Sequence, residues 1–157
     1  MWDQKLLELF TTIIPQSFAI ILLFFSLVGI KIEKKSFSLF SIAYSIVIFL
    51  IRPYVNFGVH TIIMLFIVVI VATQWGKASI ISSVIYGAVT FIVAYVCEWL
   101  TFFFLEMVKF NMELLDTDTK IRVMIGFIPL CALFAVGLTV YYTKTGIKKK
   151  EINKNVV

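Results

Sequence analysis

Residues 79–105 read SIISSVIYGAVTFIVAYVCEWLTFFFL, and Glu98 is the only charged residue among them. A helix at a protein–water boundary needs a polar face, and this stretch has too few polar residues to make one. A bilayer's hydrocarbon layer is crossed by a helix of about 20 mostly apolar residues. The apolar run is continuous, without the alternation of a membrane β-barrel strand. The stretch therefore reads as a membrane-spanning helix. Four more segments of the same kind surround it, at about 13–30, 36–51, 57–73 and 121–143. The second stops at Arg52-Pro53, and the last contains Pro129, which predicts a kink. The expectation is an all-α integral membrane bundle of about five transmembrane helices, one domain over residues 1–157, multi-pass in the cell membrane.

Composition leads to the same class. Hydrophobic residues make up 61% of the chain and charged residues 15%, against roughly 45–50% and about 25% in soluble domains. The net charge of +5 does not indicate nucleic acid. The lysines gather at helix ends, at Lys31, Lys34, Lys35 and Lys148 to Lys150, where headgroups and the positive-inside rule select them. Cys97 and Cys131 lie inside apolar stretches and read as small packing residues. The first apolar run is followed by Lys31-Ile-Glu-Lys-Lys35 where a signal-cleavage site would carry small residues, so it is read as a retained helix. With the N-terminus outside, nine Lys and Arg fall inside and five outside, which predicts N-out and C-in. Trp2, Tyr54 and Trp99 then fall at the outer interface and Trp75, Tyr141 and Tyr142 at the inner one.

The polar residues within the spans are the candidates for function. A charge at the centre of a span costs about 2.5–3.5 kcal/mol on insertion scales. At about 100° per residue, Ser83, Gly87, Thr90, Ala94, Cys97 and Glu98 share one sector of the fourth helix. Small faces pack against other helices, so Glu98 is expected to point into the bundle. Ser38, Ser41 and Ser45 repeat the pattern on the second helix. The topology brings Arg52, His60 and Glu98 to the outer third of the bundle, where an Arg52–Glu98 ion pair with His60 beside it forms a candidate pocket or proton-sensitive latch. The alternative stays open: Arg52 snorkels to headgroups, Glu98 is hydrated at the interface, and His60 only ends a helix. The outer loop from Glu106 to Lys120 offers further candidate contacts in Glu106, Glu113, Asp116 and Asp118, for a cationic ligand or simply for water. No phosphate loop, His-Glu-x-x-His, nucleophile elbow or Cys-x-x-Cys is present. No enzyme, metal or cofactor is expected.

The segment Ile51-Arg52-Pro53-Tyr54-Val55-Asn56-Phe57-Gly58-Val59-His60-Thr61, with Cys97-Glu98-Trp99, resembles the membrane sensor region of Firmicute peptide-pheromone sensor histidine kinases of the accessory-gene-regulator kind. The resemblance implies a sensor module without its kinase, contacted by a secreted peptide at the outer helix ends, at Arg52, His60, Glu98 and the loop Glu106 to Lys120. The reading is a non-enzymatic regulatory or sensory membrane protein that binds a small ligand, a peptide or a membrane partner at its outer polar cluster, and that works with a membrane protein partner or as a homo-oligomer. Two rivals stand beside it: a substrate-binding membrane subunit of a transporter, and a structural subunit of a membrane complex.

Overall fold

The computed structural model of the chain describes residues 6–7, 9–30, 33–51, 54, 57–74 and 76–154. Side chains are described for these except at 57–60, 114, 116, 119 and 145–154. Among the described residues there are helices and connecting turns and no strand. A wide π-helical turn, Leu9–Ile13, leads into α1, Ile14–Val28. There follow α2, Lys34–Ile51; α3, Phe57–Gln74; α4, Ile80–Met107; the short α5, Glu113–Thr117; and α6, Thr119–Lys154. The expected all-helical membrane architecture is therefore what the chain adopts. Leu9–Val28, Lys34–Ile51, Ile80–Met107 and Lys120–Lys144 are each long and apolar enough to cross a bilayer, and the apolar part of α3, Thr61–Gln74, is shorter.

Local chemistry sets the helix ends. The Ser82 backbone N–H donates to Ser79 Oγ at 3.2 Å, which caps the start of α4. Gly29 ends α1 in the left-handed region at φ +83°, and its N–H donates to the Phe25 carbonyl at 2.9 Å. Pro129 lies inside α6, which continues through it. Proline has no N–H, so the carbonyl of Ile125 lacks its helical donor there.

The packing is that of a protein whose solvent is lipid. α1 is the hub, packed most extensively against α6 and also against α2 and α4. It carries no charge, and Gln16, Ser17 and Ser26 are its only polar side chains. Ala19 through Phe25 are all buried, with Leu23 and Phe24 fully so. The outer helices turn large apolar side chains outward instead, among them Phe66, Ile81, Ile92, Phe104 and Met124. Several hydroxyls inside the spans bond to their own helix. Ser17 donates to the Ile13 carbonyl (2.8 Å), Ser83 to Ser79 (2.9 Å), Thr90 to Tyr86 (2.8 Å) and Thr101 to Cys97 (2.9 Å). With no water at hand, a backbone carbonyl one turn back satisfies each hydroxyl.

Small residues let the helices approach. On α4, Ser83, Gly87, Thr90, Ala94 and Thr101 form the buried stripe. A Cβ at Gly87 would lie 2.6 Å from Leu65 Cδ1. On α6, a Cβ at Gly137 would lie 3.4 Å from Leu22 Cδ2 and 3.5 Å from the Leu23 backbone nitrogen. Alanine fits there, but a longer side chain meets the α1 backbone. Gly137→Leu is expected to cost about 1–3 kcal/mol by overpacking, with Gly137→Ala near neutral, measured by denaturant titration in mixed micelles. At the far end of the bundle, Lys144 Nζ donates to the Leu27 carbonyl and lies 5.3 Å from the centre of the Tyr86 ring. That contact ties α6 to the C-terminal end of α1, where a cation is favoured.

Candidate functional site

A cavity of about 920 Å3 opens where α1 and α3 begin, α2 and α4 end, and α6 begins. These are the helix ends that the sequence places together. Its floor is apolar: Ile20, Ile48, Met64, Phe91, Leu130 and Leu133. Its polar wall comes from Gln16 on α1, Thr61 on α3, Tyr95, Glu98 and Thr101 on α4, and Arg122 on α6, with Glu106 at the rim. Volume and lining match those of small-molecule sites, roughly 300–1,000 Å3 and mostly apolar with a few convergent polar groups. The π-helical turn contributes Thr12 and Ile13, and the proline-interrupted stretch of α6 contributes Ile125 and Pro129. Such helix irregularities are frequent at functional sites.

Glu98 is half-buried and lines this cavity, on the inward side of α4. Gln16 Nε2 donates to Glu98 Oε1 at 3.0 Å. A hydrogen bond to a carboxylate is about twice as strong as a neutral one, and it compensates in part for placing a carboxylate in a span. Next to it, the hydroxyls of Thr61 and Tyr95 share a hydrogen bond that joins α3 to α4. Tyr44 on α2 forms part of the wall and is 3% exposed, and its hydroxyl has no partner among the described residues.

Of the other expected site residues, Arg52 and the side chain of His60 lie outside the described residues. The backbone of His60 is in the first turn of α3, at the cavity end of that helix. The acidic loop divides by role. Asp118 Oδ1 accepts the Lys120 N–H at 2.8 Å at the start of α6, so it acts as a local cap. Glu113 is exposed, and the side chain of Asp116 lies outside the described residues. Arg122 Nε donates to the Leu115 carbonyl at 2.7 Å, which fastens the loop onto α6. Both cysteines are free thiols, and Cys131 is exposed on the outer face of α6. Among the described residues no group of three or more His, Cys, Asp or Glu is placed to hold a metal ion.

Gln16 and Tyr44 did not stand out in the sequence. Gln16 is the one polar side chain other than Ser17 and Ser26 in residues 14–28, and that isolation was a readable signal. Tyr44 was masked by the serines beside it. No protein-family model, curated protein or solved structure matches the chain.

Proposed function

We propose that the chain is a non-enzymatic membrane protein of regulatory or sensory type, and that its cavity binds a ligand from the outer side of the cell membrane. The observation that carries this reading is the cavity itself, with the Gln16–Glu98 hydrogen bond in its wall. A carboxylate in a membrane span is expensive, and intramembrane ionisable groups mark ligand and ion sites more often than they mark scaffolding. The apolar floor would hold a ligand's body and the polar wall would orient it. The distribution of Lys and Arg supports N-out and C-in, which opens the cavity outward. The basic end of α6 then lies on the cytoplasmic side, available to a partner that carries the output.

Orientation is tested by single cysteines in a background with Cys97 and Cys131 replaced by Ser. An impermeant maleimide on intact cells is expected to label a cysteine at Asn111 and to leave Lys77 and Lys154 positions unlabelled. Labelling at Lys154 would invert the topology and turn the cavity inward. Function is tested by purification from native membranes in mild detergent with mass spectrometry of what accompanies the chain. A histidine kinase or a bound ligand supports the regulatory reading. An ATPase with a coupling subunit would replace it with a transport role.

A further inference from the structure

Resting on the reading that the cavity binds a ligand, we infer that its ligand class is a neutral carbonyl compound, an apolar body carrying a ketone, ester or amide oxygen that accepts the hydrogen of the Tyr44 hydroxyl. Tyr44 and Ile48 stand one turn apart on the same face of α2. Both border the cavity, and both belong to the buried core together with Ile20, Met64, Leu130 and Leu133. None of these apolar side chains can neutralise a charge. None but the weakly accepting sulfur of Met64 can take a hydrogen bond.

The Tyr44 hydroxyl differs from the other buried hydroxyls. Ser17, Ser26, Ser45, Ser83, Thr90 and Thr101 each donate to a carbonyl of their own helix. Ser41 and Tyr44 are buried without a partner among the described residues. A serine reaches the carbonyl one turn back by rotating its own side chain. A tyrosine does not, because its ring carries the hydroxyl beyond its own turn. An unmet donor in a low-dielectric interior is costly, so the empty cavity leaves a hydrogen for an occupant to take. Tyr44 borders open volume, which gives its ring room to turn the hydroxyl toward that occupant. A carbonyl suits this place because it only accepts, and one bond from Tyr44 leaves it with no donor unmet. An alcohol would bring a second hydrogen that the apolar side chains cannot take. An ammonium or carboxylate would bring a charge that they cannot compensate.

A carbonyl reaches such a cavity from the bilayer as a lipid ester or from water as a free ketone, ester or amide, and one experiment separates these. The full chain is placed in nanodiscs of ether-linked phosphatidylcholine, a lipid without carbonyls. Its thermal unfolding is followed with benzophenone, benzhydrol or diphenylmethane at matched mole fraction in the bilayer. The three share two rings and differ only in a central ketone, alcohol or methylene. Benzophenone is expected to bind about tenfold more tightly than diphenylmethane, with benzhydrol between them. Tyr44→Phe should narrow that preference to less than about threefold. The same change should leave the midpoint of the ligand-free chain unchanged or raised, since no hydrogen bond is lost. Irradiated benzophenone inserts into neighbouring C–H bonds, and its adducts are expected on Ile48 or Met64. Displacement of benzophenone by ester-linked phosphatidylcholine assigns the source to the bilayer, and undiminished binding in that lipid assigns it to the aqueous phase. A lowered midpoint for ligand-free Tyr44→Phe would overturn the inference, because the hydroxyl would then have a partner in the fold. Equal binding of all three compounds, with adducts on Ile48 or Met64, would overturn the carbonyl class and leave a ligand site in place. A Cβ at Gly126, in the cavity wall, meets nothing nearer than Thr12 Cγ2 at 3.8 Å, so Gly126→Phe has room to fill the cavity. Absence of binding, or binding unchanged by Gly126→Phe, would overturn the ligand-binding reading as well.

Discussion

Phe24→Ala is expected to lower the unfolding free energy of the bundle by about 3 kcal/mol, the lower end of the range for Phe→Ala in protein cores. Phe66→Ala is expected to change it by less than about 0.5 kcal/mol. The two residues are the same chemically and opposite in placement: Phe24 is 0% exposed on α1, Phe66 is 64% exposed on α3. In water both would be worth burying. In a bilayer the separated helices still sit in hydrocarbon, so transfer contributes little to their association, and packing and shape carry it. Removing Phe24 leaves a void where α1 meets α4 at Gly87 that neighbours fill poorly, whereas lipid fills the gap left by Phe66 at once. Steric-trap or detergent-titration unfolding in bicelles reads the difference. Equal losses at the two positions would mean that α1 is not the hub of the bundle.

That contrast also marks what the sequence could disclose. Apolar length and Lys/Arg punctuation are one-dimensional quantities, so helix existence was legible, and α2, α3 and α4 lie within three residues of the expected bounds. The α4 stripe was legible because small residues recur at helical spacing. Burial of α1 on every side was not, since a lipid-facing helix and a fully enclosed one have the same apolar composition when both solvents are hydrocarbon. Nor was the length of α6, which runs to Lys154. The polar tail after Thr143 has lost the hydropathy signal but keeps helix formers such as Lys and Glu. For the site, Glu98 stood out because a charge in a span is rare. Its contact with Gln16 was hidden because the two are 82 residues apart, and only the packing of α4 on α1 brings them together. Asp118, a candidate contact in the outer loop, also has a local part that the sequence did not show: its Oδ1 accepts a backbone N–H at a helix start.

Gln16→Leu is expected to cost about 1.5–3 kcal/mol of stability, the range for a hydrogen bond to a charged group, because it strips a donor from a carboxylate that lipid cannot solvate. In the background of Glu98→Leu the same substitution should cost less than half as much, since the acceptor is already gone. The coupling of that cycle, about 1–2 kcal/mol for residues in direct contact, measures the α1–α4 contact at the cavity. Additive losses would mean that the two side chains do not meet in the folded protein. The same logic extends to Arg52, which follows α2 in the sequence and is expected from the sequence to pair with Glu98. If Arg52 pairs with Glu98, Arg52→Gln in a Glu98→Gln background should cost little beyond the single change, and additive losses would sink the pair. Run together, the two cycles apportion the stabilisation of one intramembrane carboxylate between an amide on α1 and a guanidinium after α2. The apportionment bears on mechanism. A carboxylate held mainly by Gln16 is fixed to α1 alone, whereas one paired with Arg52 would have to exchange that partner for a ligand that contacts it. The exchange would couple occupancy of the cavity to the end of α2, and so would connect binding to a movement of the bundle.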